Sequence, residues 1–110
     1  MAIRAKDMKL YKLKAEVIAA AGHPIRLAII DFLAAGEQCV CDIAAHVGAG
    51  RPNVSRHLAV LLKGGIVDHR KDGLRMIYSL KTPCIVAFLG CVADVLREQL
   101  TETTAVLKRL

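Results

Sequence analysis

A chain of 110 residues has room for a single domain, and no apolar run in it reaches the roughly 18 residues that a membrane-spanning helix needs. Hydrophobic residues make up 55% of the chain, more than so small a domain can bury, so we expect a partner subunit to cover part of this apolar surface. The net charge of +6 favours a polyanionic partner, and the lack of a secretory signal predicts a cytoplasmic protein whose four cysteines are not structural disulfides.

The first half of the chain is predicted to be helical. Apolar positions at helical spacing indicate helices over residues 9–21, 24–35 and 39–47, and Pro24 suits the first turn of the second helix. The tight Gly48–Gly50 connection then leads into a fourth helix. Two helices joined by a short glycine-containing turn form a helix-turn-helix.

The segment from Gly50 to Leu62 is predicted to lie against DNA. Pro52 suits its first helical turn, and apolar residues recur at helical spacing along one side. The other side carries polar and basic groups of the kind with which recognition helices reach phosphates and base edges. An ordinary amphipathic helix is the alternative, but the neighbouring segments favour DNA. The candidate contacts are Arg51, Asn53, Ser55, Arg56, His57 and Lys63.

A β-hairpin is predicted directly after this helix. Two short runs of β-forming residues flank an Asp72-Gly73 turn, which is a pattern typical of hairpins. Because the hairpin tip is basic and follows a recognition helix, we interpret it as the wing of a winged helix-turn-helix. We therefore expect contacts to phosphates or to the minor groove from Arg70, Lys71 and Arg75.

A last helix is predicted over residues 83–100 or further, and two rows of its side chains are apolar. Such a helix needs cover on two sides, so we interpret it as a dimerisation helix that packs beside the 9–21 helix and its symmetry mate. A terminal helix folded onto its own domain is the alternative. The predicted fold is mainly α with a small β-hairpin: one winged helix-turn-helix domain over residues 1–110, forming a homodimer through its first and last helices.

The order of these elements and four motifs within them resemble the ArsR/SmtB family of winged-helix, metal-sensing repressors. The resemblance extends from about residue 10 to residue 100. It implies a homodimer that binds double-stranded operator DNA and represses its own operon until an inducer weakens binding, and thus a regulator rather than an enzyme. The motifs are His23-Pro24-Ile25-Arg26-Leu27, Cys39-Val40-Cys41-Asp42-Ile43, Asn53-Val54-Ser55-Arg56-His57-Leu58, and the wing from Arg70 to Tyr78.

Within that family, the Cys39-Val40-Cys41-Asp42 pattern is similar to the sensing site of members that respond to arsenite and soft metals. Two thiols at the start of a helix can both reach one ion if that turn loosens, and a helix N-terminus favours the thiolate form that binds. Thiolates select arsenic(III), antimony(III), cadmium, lead or zinc over hard cations. We expect Cys39 and Cys41 to bind such an inducer, with no obligatory cofactor. The alternative is that the two cysteines bind no ligand and serve only as small apolar side chains buried in the core.

Departures from the family pattern leave the third ligand open. In arsenite sensors with three cysteines on this helix, the third cysteine stands where this chain has Ala44. Cadmium and lead sensors take further cysteines from an N-terminal arm, but residues 1–38 of this chain contain no cysteine. Cys84 and Cys91 are candidate further metal ligands, from the same or the other subunit, or serve only packing. Their spacing puts them about 10 Å apart along a helix, too far to chelate one ion alone. The family's zinc site on the last helix lacks its histidines.

Two other functions remain open, and a third is disfavoured. In a thiol-redox or polysulfide sensor of the same fold, Cys39 or Cys41 would pair oxidatively with Cys84 or Cys91. An architectural DNA-binding protein would ignore every thiol ligand. A small thiol enzyme would need a Cys-x-x-Cys motif, a βαβ pattern or a glycine-rich nucleotide loop, and the sequence has none of these.

Overall fold

The computed structural model describes residues 2–110, and these form a winged helix-turn-helix with five helices and a three-stranded antiparallel sheet. The fold is mainly α, as predicted. The elements are α1 (Ala5–Ala21), α2 (Pro24–Ala34), β1 (Gln38–Cys39), α3 (Val40–Val47), α4 (Arg51–Lys63), β2 (Val67–Asp72), β3 (Arg75–Leu80) and α5 (Cys84–Leu107).

Local sequence signals explain where the helices begin. His23 caps α2, because its Nδ1 accepts a hydrogen bond from the backbone N–H of Ile25 at 3.1 Å, and Pro24 occupies the first helical turn. The first helix begins at Ala5 rather than at residue 9, with Asp7 in its first turn, where a carboxylate interacts favourably with the helix dipole. The last helix continues to Leu107, which agrees with the prediction of a helix to residue 100 or further.

The core lies where α2, α3 and α4 meet the sheet. Its most buried side chains have no solvent exposure, and burying each contributes roughly 1.5–3 kcal/mol relative to an exposed position. The largest of them are Ile29, Ile30, Ile43, Leu58, Leu61 and Ile66. The inner side of α4 belongs to this core through Val54, Leu58 and Leu61, which are completely buried. This face is the apolar side that the sequence predicted.

The sheet contains one strand that was not predicted. Its order is β1-β3-β2, and the short edge strand β1 pairs antiparallel with β3, so that Cys39 lies opposite Ile77. Cys39 belongs to this strand and is the extended N-cap residue of α3, so the helix begins at Val40, within one residue of the predicted start. The predicted hairpin is confirmed, with Gly73 at a φ of 62° in the two-residue loop between β2 and β3.

The first and last helices leave apolar side chains in solvent. No residue of α5 is buried, and Phe88 and Leu96 are 52% and 60% exposed. On α1 the predicted apolar side chains are also exposed, with Leu13 at 51% and Ile18 at 60%. Within residues 2–110 no single helix is long and apolar enough to cross a membrane. Only α1 and α2 taken together reach that length and hydropathy, and the two helices are bent by 82° where they meet.

The first helix also rests closely on the end of α4. A methyl group added at Gly64, the residue that ends α4, would lie 2.7 Å from the Cβ atom of Ala20, closer than real Cβ contacts allow. A glycine at this position therefore permits the approach of α1 to α4.

Candidate functional site

The outer side of α4 presents the polar residues that were predicted to contact DNA. Arg51, Ser55 and Arg56 are exposed on the face opposite the core. The Arg56 guanidinium donates a hydrogen bond through Nη2 to Oδ1 of Asn53 at 3.4 Å, which joins two of the predicted contacts. Lys63 is exposed at the far end of the helix.

His57 differs from its neighbours on α4, because it is half-buried against α2. Its ring lies 4.3 Å from the His23 ring between centroids, and its Nδ1 is 3.4 Å from Nη1 of Arg26. Burial lowers the pKa of His57 below its usual value of 6.5, and the nearby charges of His23, Arg26 and Arg56 lower it further. The lowered pKa favours the neutral imidazole, which faces α2, and the contact of His57 with DNA stays a prediction.

Two of the three basic residues predicted for the wing are held by the segment before α3. The Arg70 guanidinium forms a two-point contact with Glu37, with Nε 3.1 Å from Oε2 and Nη2 3.4 Å from Oε1. This hydrogen bond and the carboxylate charge raise the pKa of Arg70, and Nη1 also lies 3.8 Å from Oδ2 of Asp72. Lys71, next to Arg70 on β2, is exposed.

Arg75 contacts the thiol of Cys39. Its Nη2 donates a hydrogen bond to Sγ of Cys39 at 3.4 Å, joining β3 to the end of β1. This hydrogen bond raises the pKa of Arg75, and the charges of Cys39, Asp42 and Cys41 add to the effect. The contact brings together one residue predicted for DNA and one predicted for the inducer. Sequence reasoning missed it, and it missed Glu37.

The four cysteines have different surroundings. Cys39 is 4% exposed, whereas Cys41, in the first turn of α3, is in solvent. Cys84 and Cys91 are exposed on α5. No three His, Cys, Asp or Glu side chains among residues 2–110 are grouped closely enough to hold a metal ion within one chain. A third protein ligand for an ion on Cys39 and Cys41 would therefore have to come from a second subunit or from a rearrangement.

The other histidines have local partners. The ring of His46, on the last turn of α3, stacks on Phe32 with centroids 4.0 Å apart and an interplanar angle of 8°. His69, on β2, meets the edge of the Tyr78 ring across the sheet at 5.4 Å. These rings pack on neighbouring aromatic side chains.

Comparison with known proteins finds relatives that are transcriptional regulators. Residues 23–69 match the family model described as bacterial regulatory protein, arsR family. An uncharacterized HTH-type transcriptional regulator of Mycobacterium tuberculosis is 38% identical over 102 residues, which are 92% of this chain and 90% of that protein. The arsenical resistance operon repressor of Staphylococcus xylosus is 34% identical over 70 residues, which are 64% of this chain and 67% of the repressor.

Solved structures share the fold over most of the chain. The homodimeric winged helix-turn-helix DNA-binding domain of a possible ArsR-family transcriptional regulator from Mycobacterium bovis superposes with a TM-score of 0.78 at 32% identity, covering 90% of this chain and 95% of that one. A possible transcriptional regulator for arsenical resistance superposes with a TM-score of 0.61 at 37% identity, covering 74% of this chain and 83% of that one.

Proposed function

The chain belongs to the arsR family of bacterial regulatory proteins, and we propose that it is a repressor that leaves operator DNA when arsenite or another thiophilic metal ion binds Cys39 and Cys41. One observation carries this proposal. The two cysteines flank the start of α3, and α3 packs directly against α4, which bears the candidate DNA contacts. A ligand that distorts this start would therefore shift the DNA-reading helix.

The ligand chemistry suits the two environments. Arsenite, As(OH)₃, condenses with two thiols to form two As–S bonds and releases two water molecules. Cys41 is exposed and can capture the ligand first, whereas Cys39 is buried and must move to complete the site. That movement couples binding to a change of structure, because the backbone of Cys39 pairs with Ile77 in the sheet. Cys84 or Cys91 of a second subunit, or an external thiol, would supply a third sulfur.

The proposed DNA complex is a homodimer on a two-fold symmetric operator. Its two α4 helices would enter successive major grooves about 34 Å apart. Arg51, Arg56 and Lys63 would contact phosphates or guanine, and Asn53, Ser55 and His57 would contact base edges or the backbone. The wings would add phosphate or minor-groove contacts from Arg70, Lys71 and Arg75.

The exposed apolar faces of α1 and α5 are the proposed dimer interface. Four of their apolar side chains are more than half exposed to solvent in a single chain, namely Leu13, Ile18, Phe88 and Leu96. Burying them against the same helices of a second chain would remove that surface from water. We place the dimer in the cytoplasm, where its thiols stay reduced.

The test is a titration of the protein–operator complex with arsenite, cadmium and zinc. The fluorescence anisotropy of labelled DNA reports the release of the operator. Ligand binding should lower the operator affinity of the parent protein by about 5- to 150-fold, the usual range of allosteric coupling. Cys39→Ser and Cys41→Ser should bind the operator normally and ignore arsenite. Cys84→Ser and Cys91→Ser are the matched controls, which lose the response only if α5 supplies the third sulfur. A normal arsenite response in either Cys39→Ser or Cys41→Ser would contradict the assignment.

A thiol-redox switch of the same fold is the second candidate. It is favoured by the exposure of three of the four thiols and by the lack of a three-ligand group within one chain over residues 2–110. Two thiols would form a disulfide, releasing two protons and passing two electrons to a peroxide or polysulfide. A fall in the thiol count after mild oxidation, with DNA release and with no response to arsenite, would favour this candidate over the first.

A further inference from the structure

The hydrogen bond between Arg75 and Cys39 links the proposed inducer site to the wing by a route that does not pass through α4. We propose that Arg75 is a positioning residue: one guanidinium nitrogen is held by Cys39 Sγ, and its remaining N–H groups contact an operator phosphate. A ligand on Cys39 would then release the wing from DNA. The inference rests on the proposed function and adds to it the route by which the inducer acts on the wing.

The strand register places the two side chains within reach. Cys39 lies opposite Ile77, and Arg75 precedes Ile77 by two residues on β3, so it is on the same face of the sheet. Diagonal neighbours of this kind on adjacent strands are within reach of a long side chain. The 3.4 Å contact from Nη2 to Sγ therefore follows from the pairing of β1 with β3.

A second contact fixes the same two parts of the molecule. Arg70 of β2 holds Glu37, two residues before Cys39, through two hydrogen bonds. The wing is thus joined to residues 37–39 by two arginine side chains. Both of them were predicted to contact DNA.

The guanidinium group can serve a sulfur and a phosphate together. It has five N–H donors in a rigid fork, and the contact with Cys39 is made through one nitrogen. Arg75 is exposed, so its other donors face solvent and can reach DNA. A lysine has one nitrogen and cannot present such a fork.

A ligand on Cys39 would remove the acceptor that holds Arg75. Once Sγ bonds to arsenic or a metal ion, the sulfur shares electron density with that centre and becomes a weaker acceptor. Completing the site with Cys41 also displaces Sγ from its position beside Arg75. Arg75 then loses the contact that fixes its fork over the phosphate. The inducer would weaken DNA binding at the wing as well as at α4.

The experiment compares three variants in the operator titration with arsenite. Arg75→Lys keeps the charge and loses the fork, Arg75→Gln loses both, and Lys71→Ala removes a neighbouring exposed charge from the same wing. The readout is the ratio of operator affinities without and with arsenite, and the number of thiols that arsenite protects shows that each variant still binds the ligand. Circular dichroism of each exposed-site variant shows that it is folded.

We expect the affinity ratio of Arg75→Lys to fall by about 2- to 30-fold, the size of effect that changes along a coupling network produce. Its thiols should still be protected. Arg75→Gln should show the same loss with weaker operator binding. Lys71→Ala should bind the operator more weakly and keep the ratio of the parent.

A parental ratio in Arg75→Lys and Arg75→Gln would overturn the inference and leave the proposed function intact. An equal loss of the ratio in Lys71→Ala would also overturn it, because the effect would then belong to wing charge in general. A parent protein that keeps its operator at saturating arsenite, cadmium and zinc would instead overturn the proposed function itself.

Discussion

The recognition helix and the wing are anchored in different ways. The inner side of α4 is fixed by Val54, Leu58 and Leu61, which have no solvent exposure. In β2 only the first residue, Val67, is buried. The outer part of the wing is joined to residues 37–39 by polar contacts, of which that of Arg70 with Glu37 is exposed and that of Arg75 with Cys39 is partly buried. An inducer with a coupling energy of about 1–3 kcal/mol can break polar contacts of this kind, but it can move α4 only as a rigid body with α3. The two DNA-reading elements should therefore respond to separate changes.

The largest expected effect tests the apolar anchor of α4. Leu58→Ala should destabilise the protein by about 2–5 kcal/mol, because it leaves a cavity in a closely packed core. Urea unfolding measures the loss. Leu74→Ala in the loop of the wing, where the leucine is fully exposed, should change stability by less than about 0.5 kcal/mol. Similar losses for both variants would contradict the proposed difference in anchoring.

The next effect concerns what each element reads. Arg56→Ala should cost about 1–3 kcal/mol on the operator and relax specificity at one base pair, if Arg56 contacts guanine. Lys71→Ala should weaken binding to all sequences alike and reduce the slope of affinity against salt by about 1. Binding to operator and random DNA over a salt series separates the two. An equal loss of affinity for operator and random DNA in Arg56→Ala would indicate that Arg56 contacts the phosphate backbone rather than a base.

A smaller effect should appear in the pH dependence of stability. The folded protein lowers the pKa of His57 below the 6.5 of an unfolded chain, so the unfolded state takes up more protons as the pH falls through that value. The stability of the parent should therefore be full above pH 6.5 and decline below it.

His57→Gln should reduce this decline in urea unfolding. His69→Gln on the exposed side of the wing should keep the pH dependence of the parent. A parental pH profile in His57→Gln would show that the contact with His23 and Arg26 is not the source.

The smallest effect belongs to the exposed ion pair of the wing. Glu37→Gln should leave the unfolding midpoint unchanged, because exposed ion pairs contribute little to stability. It should raise operator affinity slightly, since Arg70 is freed for phosphate. Glu102→Gln on α5 is the control, which removes one acid at a distance from the wing. Equal gains in both variants would indicate a general charge effect.

The sequence predicted the elements that carry strong local signals. Pro24 marks the start of α2, and the glycine of the wing turn marks the hairpin. The inner face of α4 followed from apolar spacing alone. Such signals act within a few residues, so they can be read from one chain.

The parts that were not predicted depend on distant residues. The strand at Gln38–Cys39 is too short for any periodic pattern, and it exists because it pairs with β3. The contact between Arg75 and Cys39 joins residues 36 apart in sequence. The contacts of His57 with His23 and Arg26 likewise join residues more than 30 apart in sequence. Tertiary contacts of this kind have no signature in spacing or composition.

The close seating of Gly64 on Ala20 has a consequence for operator layout. Because α1 belongs to the proposed subunit interface and α4 carries the proposed DNA contacts, their junction would set the separation of the two α4 helices in the proposed dimer. A bulkier residue at position 64 would push the helices apart and shift the preferred length of the DNA spacer between half-sites. A single missing side chain would thus determine which palindromes the repressor accepts.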